Sequence, residues 1–82
     1  MTTLPVPLST LKLGEKSNVI HLDVKGLLRR RILDLGIVPG TVLTCIGKAP
    51  AGDPIAYLVR NTVIALRSED ANQIYIDSKL NC

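Results

Sequence analysis

Eighty-two residues make one small domain, too short to divide into two hydrophobic cores. Val, Ile and Leu supply 28 of them and charged residues only 21%, which excludes the apolar-poor composition of a disordered chain; with two Tyr and neither Phe nor Trp, the core has to be aliphatic. A net charge of +3 is too small to mark a phosphate-neutralising surface, and no apolar run approaches the roughly 20 residues that span a bilayer.

In chain order, the opening MTTLPVPLST has neither a basic n-region nor a long apolar h-region, so no secretory signal is expected. Pro5 and Pro7 keep this segment extended, and Ser9 offers an N-cap oxygen to a lead-in turn that Gly14 closes. Asn18 to Leu22 carries Val19, Ile20 and Leu22 and reads as the first strand, with His21 inside it. From Val24 to Leu35 the period changes: Leu28, Ile32 and Leu35 fall at i, i+4 and i+7 and form one helical stripe. Asp23 is placed to cap that helix, Gly26 weakens its first turn, and Gly36 with Pro39 supplies the left-handed stop.

Thr41 to Ile46 reads as the second strand. Val42, Thr44 and Ile46 alternate with Leu43 and Cys45, both faces being apolar or small, as in a strand curled into a barrel. Ala49-Pro50-Ala51-Gly52-Asp53-Pro54 is a surface loop. Ile55 to Arg60 is a third strand, Asn61-Thr62 the turn, and Val63 to Leu66 the returning arm, Asn tolerating the left-handed backbone of a two-residue hairpin. Ser68 is placed to cap a single helical turn ending near Gln73, with Glu69 and Asp70 at its positive end. Ile74-Tyr75-Ile76 is a last short strand.

The count is about five strands, one helix after the first and one helical turn before the last. One helix cannot cover both faces of such a sheet, so the sheet is expected to curl and hide Leu43, Cys45, Leu58 and Leu66. The expected fold is mainly β: a small, partly open SH3-like barrel in a single domain over residues 1–82, with a core at 8–76 and a flexible tail at 77–82.

Cys45 and Cys82 lie far apart without a Cys-x-x-Cys pair, which fits a reducing cytosol. No phosphate-binding Gly-rich loop and no Gly-x-Ser-x-Gly elbow occurs, so a binding module is expected rather than an enzyme. His21, Asp23, Cys45, Asp53, Asp70, Asp77 and Cys82 are the conceivable metal ligands. His21 and Asp23 can share one face of a strand, but two ligands are too few for a tight site, and no metal or other cofactor is expected. Cys45 reads as a small buried hydrophobe.

The run from Leu28 to Thr41, LRRRILDLGIVPGT, closely resembles the L-R-R-R-L-L-D-L-G-[LI]-x-P-G-[TS] signature of the FeoA family, small components of bacterial ferrous-iron uptake. Ala49-Pro50 with Gly52-Asp53-Pro54-Ile55 is similar to that family's A-P-x-G-D-P-[IL] loop. Val63 to Arg67 resembles its strand ending in A-L-R, and Leu8 to Leu11 with Gly14-Glu15 its opening. The resemblance covers roughly residues 8 to 76; Asn61 stands where Gly is frequent, and Lys79, Leu80 and Cys82 match nothing in it. It implies an SH3-like barrel and a cytoplasmic accessory protein, held at the inner face of the membrane only through its partner, that binds the FeoB GTPase permease and modulates GTP-dependent Fe(II) transport. Iron-dependent repressors carry a related barrel behind a helix-turn-helix, which does not precede this one.

Within the helix, Leu33 points away from the stripe, between Arg29 and Arg30. Arg29, Arg30 and Leu33 therefore make a candidate partner-binding face, an apolar knob among steering charges. The competing reading is that Leu33 is a core residue and the arginines a solvated face. Arg31 lies at the stripe's edge with its stem over aliphatic surface, and Arg30 can pair with Asp34. Two further alternatives are a basic barrel that binds nucleic acid and an Fe(II)-binding chaperone. The first is disfavoured because Tyr57 and Tyr75 are the only stacking platforms.

Overall fold

The computed structural model describes residues 4–78; of the tail expected at 77–82, Asp77 instead belongs to the last strand and Ser78 bonds back to Leu4, and the expectations for Lys79, Leu80 and Cys82 lie outside the described residues. Six antiparallel strands, β1 (Pro5–Pro7), β2 (Lys16–Leu22), β3 (Val42–Lys48), β4 (Ile55–Val59), β5 (Thr62–Leu66) and β6 (Ile74–Asp77), form one sheet in the order β1-β6-β2-β3-β4-β5. A 3-10 turn, Leu8–Thr10, follows β1; helix α1 (Gly26–Asp34) follows β2, and the four-residue helix α2 (Ser68–Ala71) precedes β6. The expected mainly β architecture is present, with one more strand than counted. The missed strand is β1, whose Val6 pairs with Ile76 between two prolines, a composition that favours an edge strand and hides its signal.

Curling of the sheet begins in β2. Lys16 to Asn18 pair with β3, whereas Val19 to Leu22 pair with β6 across a bulge between Val19 and His21, so one strand serves two halves of the sheet. A second irregularity between Cys45 and Gly47 bends β3 against β4. Bulges raise local twist and bend the strand, and the inward faces close on an aliphatic core of Leu8, Val19, Val24, Ile32, Ile37, Leu43, Val59, Ile74 and Ile76 with Cys45 and Tyr57. In β4 the inward set is Ile55, Tyr57 and Val59, and Leu58 is only half-buried. The expectation of Leu58 in the core is thus corrected: Leu43 pairs with Val59 and Cys45 with Tyr57, and directly opposed residues share a sheet face.

Helix α1 starts two residues later than its hydrophobic period suggests. The Asp23 N–H extends the ladder to the Gln73 carbonyl (2.7 Å), so Asp23 is not the cap; Lys25 holds that position without a side-chain bond. Gly26 enters the helix at φ +62°, a left-handed turn that glycine makes without steric cost. At the other end Gly36 (φ +90°) donates to the Leu33 carbonyl, and Ile37 donates to the Ile32 carbonyl (3.2 Å). These are the two bonds of a Schellman stop, closed by an apolar contact between the residues before and after it. Here Ile32 and Ile37 are both fully buried. Ile37 thereby takes the core place expected of Leu35, which is left 37% exposed.

The next residues are tied by Thr41. Its hydroxyl donates to the Gly36 carbonyl (3.0 Å) and accepts the Val38 N–H (3.1 Å), while its carbonyl accepts the Val19 N–H (2.8 Å) and the Gly40 N–H donates to the Val19 carbonyl (2.7 Å). The β4–β5 turn consists of Arg60 and Asn61, both at positive φ, with Val59 opposite Thr62, one residue earlier than Asn61-Thr62. Ser68 does not cap α2 with its own hydroxyl. Its N–H instead donates to Asp53 Oδ1 (2.7 Å), so the 49–54 loop supplies the cap.

Replacing Gly36 with Ala should lower stability by about 1 to 2 kcal/mol, since an L-residue is strained at that φ; a urea midpoint equal to that of the parent chain would contradict it. Tyr57 supplies a second check. Burial, with a smaller contribution from Cys45 alongside, holds its phenol far above the usual tyrosine range. The unfolded chain ionises near its ordinary value of about 10, so above that pH the unfolded state loses a proton the folded state keeps, and stability falls as pH rises. In Tyr57→Phe, denaturant midpoints measured from pH 8 to 11 should decline less steeply.

Candidate functional site

Helix α1 buries one side and presents the other. Ile32 is fully buried and Leu28 packs half-buried on the core, while at 100° per residue Arg29, Leu33, Arg30, Asp34 and Leu27 fill the opposite arc. Those five residues are exposed, Leu33 to 37% and Leu27 to 86%. The structure gathers Arg29, Arg30 and Leu33 with Gly26 and Asp34 around a shallow depression of about 380 Å³. Leu33 is the apolar part of its wall and two guanidiniums flank it. Leu33 is partly open to solvent rather than sealed under the domain's own chain.

Arg29 reaches back to the sheet: its Nη1 donates to the Leu22 carbonyl at the end of β2 (3.4 Å). Arg30 and Asp34 do not form the expected ion pair; the pair recorded among the described residues is His21 Nε2 to Asp23 Oδ1 at 4.0 Å, between exposed side chains. Leu27 is the residue that the hydrophobic stripe overlooked. It lies opposite Ile32 on the helical wheel, so its position was available from the 3.6-residue period had the non-stripe leucines been scanned as a set.

Arg31 faces the other flank of the helix. With Leu28 and Ile32 it lines a groove of about 230 Å³ whose far wall is Pro54, Leu66, Arg67 and Asp70. Among the metal-ligand candidates, Asp53 is engaged by Ser68 and Cys45 is buried. No three His, Cys, Asp or Glu side chains among the described residues are placed to hold a metal ion. No helix among the described residues is long and apolar enough to cross a membrane.

Comparison with known proteins places this geometry in a family. The FeoA domain model matches residues 6–78. The chain is 34% identical over 70 residues to the Fe(2+) transport protein A/Fe(2+) transporter FeoB fusion protein of Porphyromonas gingivalis, an alignment covering 85% of this chain and 8% of that protein. The solution structure of a FeoA-like protein from Clostridium acetobutylicum superposes with a TM-score of 0.86 at 36% identity, covering 100% of this chain and 94% of that one. Stenotrophomonas maltophilia FeoA, crystallised with zinc and described as a prokaryotic SH3 domain protein, follows with a TM-score of 0.78 at 29% identity over 90% of this chain and 92% of its own. A family match running from β1 to the end of β6, on a barrel of the same form, establishes that the chain belongs to the FeoA family of ferrous-iron transport proteins.

Proposed function

We propose that this chain is a cytoplasmic accessory protein of ferrous-iron uptake that docks on a FeoB-type GTPase permease through the outer face of α1 and modulates its GTP-dependent transport, without entering the membrane itself. The observation that carries this reading is the Porphyromonas gingivalis relative, in which a domain like this one is joined to a FeoB transporter. Fusion in one chain argues for work at one place. The geometry supports the assignment of the face: Arg29 and Arg30 suit steering toward an acidic surface, and the partly exposed Leu33 offers an apolar anchor between them. A net charge of +3 and a binding face on a rigid helix fit a module that acts by contact rather than by chemistry. Catalysis has no place in this reading.

The test uses purified FeoB from the same host and the immobilised chain. Leu33→Asp should weaken binding by about 2 kcal/mol or more, roughly thirtyfold, as expected of a central anchor, and leave the fold unchanged. Reversing both charges, Arg29→Glu with Arg30→Glu, should slow association and flatten its salt dependence. Ile32→Asp is the contrast: it places a carboxylate in the core and should unfold the domain. Parent-like binding by a folded Leu33→Asp chain would remove this face from the interface, and binding of nucleic acid in place of FeoB, lost steeply with salt, would replace the reading altogether.

A further inference from the structure

The two edges of the sheet are built differently. One edge is β1, where Pro5 and Pro7 remove N–H groups and block further pairing. At the other edge, β5 reads Thr62-Val63-Ile64-Ala65-Leu66, uncharged, β-prone and without proline. Among the described residues its backbone makes no hydrogen bond beyond the ladder to β4. Such an edge is a template for another strand unless something blunts it, and α1 does not close it, since the groove of about 230 Å³ separates the helix from the end of β5.

The chemistry of that groove specifies what the strand should carry. Leu28 on the helix side and Leu66 on the far wall give the groove an apolar lining, and Arg31 and Arg67 stand on the same two opposed walls. Neither guanidinium has an ion-pair or hydrogen-bond partner among the described residues. Asp70 is the single carboxylate lining the groove, leaving an excess of one positive charge beside an open strand edge. A second copy of this chain is a poor occupant. Antiparallel pairing of two β5 strands centred on Ile64 would set each Arg67 opposite Asn61 and beside Arg60 of the other, bringing cations together at both ends. We propose that the β5 edge and the Arg31–Arg67 groove together take an extended, acidic segment of a partner protein as a seventh strand, a surface separate from the Leu33 face. Main-chain bonds to β5 supply affinity, alternate acidic side chains lay their methylene stems along Leu28 and Leu66 and reach the two arginines, and the residues between them point away from the groove.

The experiment titrates the isotope-labelled full chain with a short synthetic peptide alternating Glu and Val, against the same peptide with Lys for Glu and a version N-methylated at every residue, which leaves neither edge able to donate. The Glu peptide should shift the amide resonances of residues 62–66 and 28–32. The Lys peptide should not, and N-methylation should abolish the effect. Arg31→Glu with Arg67→Glu should weaken the Glu peptide at least about tenfold, the scale of losing charged hydrogen bonds. Equal binding of the N-methylated peptide would overturn strand addition, and shifts confined to Arg29, Arg30 and Leu33 would overturn the location. A β5-mediated dimer in sedimentation that excludes the peptide would make a second copy the occupant and overturn the partner segment.

Discussion

The structure depends on the way α1 is stopped and handed to β3. Gly36 reverses the chain at positive φ, Ile37 drops into the core under Ile32, and the buried hydroxyl of Thr41 bonds across the loop to both Gly36 and Val38. A buried hydroxyl with both its donor and acceptor roles filled stabilises one geometry and penalises its neighbours, because any rearrangement strands a polar group away from water. The direction of the helix is therefore set from its C-terminal end. Its N-terminal end, capped by Lys25 with no side-chain bond, contributes much less.

Once α1 is fixed in this way, its faces acquire distinct roles. Ile32 and Leu28 hold it to the barrel, Arg29, Arg30 and Leu33 meet solvent on one flank, and Arg31 meets the β5 groove on the other. Three successive arginines consequently lie in three environments: one touches the end of β2, one is free on the outer face, and one overlooks an apolar groove. Since successive residues diverge by about 100° on a helix, an Arg triplet distributes charge around the cylinder rather than concentrating it.

Much of this was legible in the sequence because it follows from local chemistry. The stop at Gly36, the inward Leu43 and Cys45 of β3, the last strand at Ile74 to Ile76 and the outward Leu33 all follow from residue type and period. What escaped was decided between elements distant in the chain. Leu58 gave way to Tyr57 because the register with β3 chose the inward face, a choice two apolar faces in β4 leave open. Leu35 lost its core place to Ile37 because the Schellman turn brings a later residue back over the helix. The cap of α2 comes from Asp53, fifteen residues upstream, and no local motif carries it. The Arg31–Arg67 groove is likewise invisible before the hairpin is folded against the helix.

Strand β6 runs between β1 and β2, and the Ser78 N–H donates to the Leu4 carbonyl (3.1 Å). The two ends of the described barrel thus sit side by side. A longer polypeptide can splice this barrel in, or hang it from either end, and the point of suspension is the same corner in every case. Chain entering and chain leaving meet at this corner, so a pull applied through either end is carried by the same β1–β6 pair.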